Sequence, residues 1–235
     1  MTTTLGGSTI VAIDTPEGPG RWHLDRTEDT RAVLALGHGA GGGVTAADLA
    51  LLARRLPTEG VTVARFEQPW RFAGRKVAVP PARLDLAWSL AMRWLGDQPW
   101  AVGLPLLAGG RSAGARVACR TADALGVAGL LCLAFPLHPP GRPDRTRLPE
   151  LLAPSAPRVV VQGTRDTFGS AAELTTALAG SAAGAGVLVV PLPGADHGFR
   201  VPARADFQPS DLKARVLAAA VDLAAAVCRV RGDVD

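Results

Sequence analysis

The chain has 235 residues, 48% hydrophobic and 20% charged, which suits one folded domain with a sizeable core and excludes a disordered chain. Its net charge of +4 comes almost wholly from arginine, since Lys76 and Lys213 are the only lysines, and the basic residues lie scattered among 21 acids. With aromatic residues at 5% and no tyrosine, no base-stacking nucleic-acid platform is expected.

Taken in chain order, Ser8–Ile13 and Arg21–Asp25 alternate with a two-residue period, which predicts an antiparallel N-terminal hairpin. From Ala32 the rhythm changes. Ala32–Leu36 is a continuous apolar run ending in glycines, as for a strand buried on both faces. Thr45 with Asp48 predicts a capping-box start for a helix through Leu56, closed by Pro57 and Gly60. Val61–Phe66 is the next predicted strand. Leu84, Trp88, Met92 and Leu95 then fall on one helical stripe that Gly96 stops. Strand Leu106–Gly109, helix Ser112–Leu125, strand Gly129–Phe135 and strand Arg158–Gln162 follow. Ser170 with Glu173 predicts a capped helix to Leu178, ahead of strand Val187–Pro191 and a terminal helix over Asp211–Val230.

Strands alternating with helices at this spacing predict a mostly parallel sheet with helices on both faces, joined by right-handed crossovers. No composition break or internal repeat divides the chain, so residues 1–235 read as one domain. Cys119, Cys132 and Cys228 include no CxxC; they read as reduced thiols packed as small hydrophobes, not as a disulfide scaffold or a zinc site. The start, Met1–Ile10, has neither a cationic nor an apolar leader region, and Val216–Val227 is too short to span a bilayer. A cytoplasmic protein without membrane or nucleic-acid partners is expected; its oligomeric state is open, and a homodimer is compatible.

In such sheets ligands bind beyond the carboxyl ends of the strands, so the residues just after each strand carry the functional reading. Gly110-Arg111-Ser112-Ala113-Gly114 stands between a predicted strand and a predicted helix. A GxSxG at that junction forces the serine into a tight exposed bend, with small neighbours where side chains would collide. Gly163-Thr164-Arg165-Asp166 follows another strand, and Ala195-Asp196-His197-Gly198 a third. Ser112, Asp166 and His197 therefore stand behind three separate strands in the order nucleophile, acid, base. Asp196 is a poor orienting acid because it adjoins His197. His138 also follows a strand but precedes Asp166, so it reads as a pocket residue and not as the base.

The loop Gly37-His38-Gly39-Ala40-Gly41-Gly42-Gly43 follows the Ala32–Leu36 strand. Its glycines permit close backbone approach, so the Ala40 and Ala113 amides are the expected oxyanion hole. The same loop satisfies GxGxxG, with Glu67 at the end of the next strand as a ribose-binding acid. That acid stands further along than the interval of about 20 residues usual for dinucleotide binding, and the helix signal begins after the glycines. No GxxxxGK[ST] is present, and no His/Asp/Glu cluster has metal spacing, so neither cofactor nor metal is expected. His38, Arg111, His138 and Arg142 complete the candidate pocket. Arg111 and Arg142 are read either as anion-binding groups or, preferably, with Arg111 paired to an internal acid or with both arginines solvated.

Together, Gly37–Gly43, Gly109–Gly114, Phe135–Pro143, Gln162–Asp166 and Asp196–Phe199, with Arg71, Gly74 and Arg75 in Phe66–Trp88, resemble the small bacterial α/β-hydrolases related to testis-expressed/KANSL-type proteins, often labelled dienelactone-hydrolase-like. The resemblance runs from about Ala32 to Pro202. It implies a single-domain α/β-hydrolase fold and a serine hydrolase with Ser112 as nucleophile, Asp166 as acid and His197 as base. It names no substrate. Dienelactone hydrolases proper use a cysteine at the elbow, where this chain has Ser112.

The resulting expectation is cleavage of a small to medium ester or thioester through an acyl-enzyme. The competing readings are a non-catalytic scaffold of the same fold that binds a ligand or protein, and an NAD(P)-dependent enzyme. Pro136–Pro157, where many hydrolases insert a lid, is short and proline-stiffened, which predicts little or no lid and an open pocket.

Overall fold

The computed structural model describes residues 2–5, 7–203 and 206–232; Met1 and Gly6 of the opening stretch lie outside them. The first three strands, β1 (Thr2–Leu5), β2 (Ser8–Thr15) and β3 (Gly18–Asp25), form an antiparallel ribbon. The alternation that predicts β2 and β3 reflects one face turned to the core, where Ile13, Trp22 and Leu24 are buried. β1 was not anticipated. Thr-Thr-Thr-Leu is too short and too uniform to display a period, and it extends the sheet by pairing with β2.

The remaining chain alternates: β4 (Ala32–Gly37), α1 (Ala47–Arg55), β5 (Val61–Glu67), α2 (Pro69–Phe72), α3 (Pro81–Gly96), β6 (Leu106–Arg111), α4 (Ala113–Leu125), β7 (Gly129–Leu133), α5 (Leu148–Leu152), β8 (Arg158–Gly163), α6 (Ala171–Ala179), β9 (Val187–Leu192) and α7 (Pro209–Gly232). Among the described residues these strands make one sheet in the order β1-β2-β3-β5-β4-β6-β7-β8-β9. All pairings from β5 to β9 are parallel, and β3 joins β5 antiparallel.

Inner strands are apolar on both sides because helices cover both faces. Leu131 and Leu133 of β7 belong to one core cluster with Leu49 and Leu52 of α1 and Val216 of α7, whereas Leu130 and Cys132 belong to the other with Met92 of α3, Ala118 of α4 and Leu174 of α6. Each leucine fully buried in this way contributes about 1.5–3 kcal/mol. After β4 the chain moves to β5 on one side, then crosses back to β6 on the other. The crevice at the carboxyl ends of β4 and β6 is the topological switch point of the sheet.

One local expectation needs correction. The Thr45/Asp48 capping box does not form: the N-cap of α1 is Ala46, with no side-chain cap, and Asp48 is buried. Its carboxylate accepts from the Leu49 N–H at 2.9 Å and from Arg111, and a buried ion pair outcompetes a cap. Cys119 and Cys132, well separated in sequence, lie Sγ to Sγ at 3.6 Å as free thiols, because α4 packs on β7. The Cys132 contact, and then burial, push the Cys119 thiol well above its ordinary range. The Ser170/Glu173 capping box does form.

Residues 134–157 connect β7 to β8 and carry only the five-residue α5, so among the described residues no lid covers this end of the sheet. Among the described residues no helix is long and apolar enough to cross a membrane, and no group of three or more His, Cys, Asp or Glu could hold a metal ion.

Candidate active site

Ser112 sits between β6 and α4 with φ 51° and ψ −108°, a strained conformation for a residue with a side chain. What enforces it is the packing of glycines against β4. A Cβ on Gly110 or on Gly114 would be driven into the carbonyl oxygen of Gly37. Absence of side chains at both positions lets the turn close tightly while the Ser112 N–H donates to the Leu133 carbonyl at 2.9 Å.

β8 ends at Gly163, and the turn after it carries Asp166, whose side chain is fully buried. β9 ends at Leu192, and the loop beyond it carries His197. The structure brings both to Ser112. His197 Nε2 lies 3.0 Å from Ser112 Oγ, and His197 Nδ1 lies 2.8 Å from Asp166 Oδ2. With Nδ1–H donating to the carboxylate, Nε2 keeps its lone pair directed at the serine hydroxyl. Asp196, the adjacent acid, instead accepts the Arg200 N–H at 2.9 Å.

The glycine loop after β4 passes beside the serine: a Cβ on Gly39 would stand 3.6 Å from Ser112 Cβ. Ala40 and Ala113 line one narrow cavity together with Gly37, Trp70 and Trp88. The glycines do not open a helix, since α1 begins only at Ala47. Glu67, the ribose-binding acid of the dinucleotide reading, is engaged by Arg21 at 2.7 Å and faces His23 at 3.7 Å. These contacts, the His23 one foremost, hold its carboxyl below the usual range.

The four candidate pocket residues fare differently. His38 lines the narrow cavity but is buried, with Nδ1 2.9 Å from the Gly39 carbonyl and Nε2 accepting the Gln68 N–H at 3.2 Å. Burial lowers its pKa, so this imidazole is held neutral. His138 is buried too. Its Nδ1 stands 2.9 Å from the Pro139 carbonyl and its Nε2 3.6 Å from Glu173 Oε1, and among the described residues no hydrogen bond joins it to Ser112 or His197. Arg142 is exposed and pairs with Asp144 at 3.4 Å. Arg111 pairs with the internal acid Asp48 and donates its other terminal nitrogen to the His197 carbonyl.

Three supporting residues escaped the sequence reading. Gln162 Nε2 donates to Asp166 Oδ2 at 3.1 Å. The Phe168 N–H donates to Asp166 Oδ1 at 2.8 Å, and the Phe168 ring lies over the His197 imidazole with centroids 4.2 Å apart. Asp48 anchors Arg111. Only Asp166 bore a signal for its partners, since a turn aspartate commonly accepts the N–H two residues on. Beside Arg111 a cavity of about 600 Å³ opens between α1, α7 and the histidine loop, walled by Leu51, Phe199, Leu212 and Val216, with Arg200 and Lys213 also lining it. Neither Ser112 nor His197 lines it.

A family model described as alpha/beta hydrolase domain matches residues 30–225. No curated protein matches. Among solved structures, an α/β serine hydrolase without a lid from Xanthomonas campestris superposes with a TM-score of 0.70 at 21% identity, over 92% of this chain and 94% of that one. Est1E from Butyrivibrio proteoclasticus gives 0.71 at 14% identity, over 94% and 100%. A dienelactone hydrolase from Anabaena variabilis gives 0.66 at 18%, over 91% and 95%. At these identities the likeness is one of fold.

Proposed function

The chain belongs to the alpha/beta hydrolase domain family, and from that premise we propose that it is a serine hydrolase cleaving a small to medium ester or thioester. The observation that carries this reading is the unbroken hydrogen-bond chain Ser112–His197–Asp166, at 3.0 and 2.8 Å. We further assign the chain, residues 1–235, to one catalytic domain of the testis-expressed/KANSL-like, dienelactone-hydrolase-related group. A serine at the elbow separates it from dienelactone chemistry proper.

In this mechanism the His197 Nε2 lone pair takes the Ser112 proton as Oγ attacks the acyl carbon. Asp166 keeps the imidazole in the required tautomer and stabilises the imidazolium. The carbonyl oxygen gains negative charge and is received by the Ala113 and Ala40 N–H groups. As first residue of α4, Ala113 has no partner for its N–H within the helix, and Ala40 belongs to neither a helix nor a strand. Collapse breaks the bond to the alcohol or thiol, which leaves with the proton from His197. A water then gives its proton to His197 and attacks the acyl-Ser112 carbon; the acid departs and Ser112 regains its proton.

Two observations support a compact substrate reaching the site directly. Among the described residues no lid covers the carboxyl end of the sheet, and the cavity bordering Ala40 and Ala113 is narrow, with Trp70 and Trp88 in its wall. The decisive experiment combines fluorophosphonate labelling with a panel of short-chain esters and thioesters. Labelling of the parent at Ser112, lost together with hydrolysis in Ser112→Ala, is expected. Hydrolysis that survives Ser112→Ala refutes the assignment, and an unlabelled parent favours a non-catalytic scaffold.

A further inference from the structure

Arg111 is the variable position of the elbow motif, one residue before Ser112, yet its side chain is turned away from free solvent. One terminal nitrogen of the guanidinium donates to Asp48 Oδ2, and the other donates to the backbone carbonyl of His197. Its plane also lies over the Phe199 ring, with the guanidinium carbon 4.9 Å from the centroid. Asp48 is buried on α1, where its second oxygen accepts the Leu49 N–H at 2.9 Å. The arginine thus ties the nucleophile's own strand, a rigid helix and the histidine loop to one another.

That loop needs such a tie. The Arg165 N–H holds the Ala195 carbonyl at 2.9 Å, but beyond Ala195 the chain closes on itself through Asp196–Arg200 and Asp196–Phe199 bonds. Phe199 takes φ 57°, a left-handed conformation that a bulky residue adopts only under constraint. His197 can hold its bonds to Ser112 and Asp166 only while this turn stays in place. Among the described residues, the Arg111 bond is the hydrogen bond from outside the turn to the main chain of residues 197–199. A planar fork meets this demand because it donates in two directions at a fixed angle, which an ammonium does not.

We infer that Arg111, anchored by Asp48, is a positioning residue that holds the His197 loop in register with Ser112 and is not a substrate-binding cation. The inference rests on the serine-hydrolase reading above and deepens it. A shift of about 1 Å in the base costs on the order of 10² in rate, and that is the scale of effect expected.

The test measures the rate of fluorophosphonate labelling at Ser112, and kcat and KM for a 4-nitrophenyl ester, in the full chain. Arg111→Ala is expected to slow labelling and kcat about 10²-fold with KM unchanged within twofold. Arg111→Lys and Asp48→Asn are each expected to lose at least tenfold, and they carry the test if the alanine variant does not fold. The discriminating arm is the His197→Ala background, where adding Arg111→Ala is expected to change residual labelling less than twofold. A structural defect alone would slow labelling in both backgrounds. Labelling within twofold of the parent in Arg111→Lys and Asp48→Asn, or an undiminished 10²-fold loss without His197, overturns the inference. Failure of the underlying reading looks different: the parent itself is then unlabelled, or Ser112→Ala labels as well as the parent.

Discussion

Gln162 Nε2 donates to Asp166 Oδ2 at 3.1 Å, the same oxygen that receives His197 Nδ1 at 2.8 Å. The same amide nitrogen also lies 3.2 Å from the Phe135 carbonyl and 2.6 Å from the Gly169 carbonyl. A fully buried residue of β8 therefore ties the acid to the connections on both sides of it.

Replacing Gln162 by Ala leaves one carboxylate oxygen with fewer donors and two buried carbonyls without a partner. The expected result is a loss of about 1–3 kcal/mol in urea unfolding and a fall of about tenfold in the Ser112 labelling rate. Labelling as fast as the parent would show that the Phe168 N–H and His197 suffice to hold Asp166.

Gly114→Ala tests the close approach of β4 to the elbow. The added methyl meets the Gly37 carbonyl, which is backbone and cannot rotate aside. A destabilisation of about 1–3 kcal/mol is expected, with slower labelling because Gly37 leads into the loop beside Ser112. Gly41→Ala is the control: nothing lies within 4 Å of its Cβ, so a change within about 0.5 kcal/mol is expected. Equal stabilities for the two variants would contradict the packing account.

His38 sets a pH dependence. Burial, set against a smaller opposing effect of the Gly39 carbonyl, depresses its pKa, so the native state resists protonation. The unfolded chain takes that proton near pH 6.5, an ordinary value for histidine. Acidification from about pH 6.5 therefore stabilises the unfolded state, and stability falls until the native imidazole itself titrates. The stability advantage of the parent over His38→Gln is expected to be full above pH 7 and to shrink as pH falls below about 6.5. Urea midpoints at pH 7.5 and 5.5 measure it; an advantage that grows on acidification would mean the native imidazole is charged.

Much of this site was legible in residue order. Ser112, Asp166 and His197 could be found because each follows a strand whose apolar run is visible locally, and because the GxSxG turn requires its glycines for steric reasons seen again at Gly110 and Gly114. The glycine loop was legible for the same reason. What failed was the assignment of partners to polar side chains. Thr45 and Asp48 had the spacing of a capping box, but Asp48 turns to Arg111, because an ion pair in the interior outweighs a single neutral cap. Gln162 showed nothing distinctive in a run of valines, and β1 was too short to carry a period.

Sequence alone determined that strands and helices alternate, which residues stand at the carboxyl ends of the strands, and in what order they come. Those properties depend on neighbours a few positions apart, where propensity and periodicity act. Tertiary structure alone decided that His197 lies 3.0 Å from a serine 85 positions earlier, and that Arg111 bonds to Asp48 and to the His197 carbonyl. Hydrogen bonds and ion pairs form between groups within a few ångströms in space, and only the order of strands in the sheet sets which groups those are.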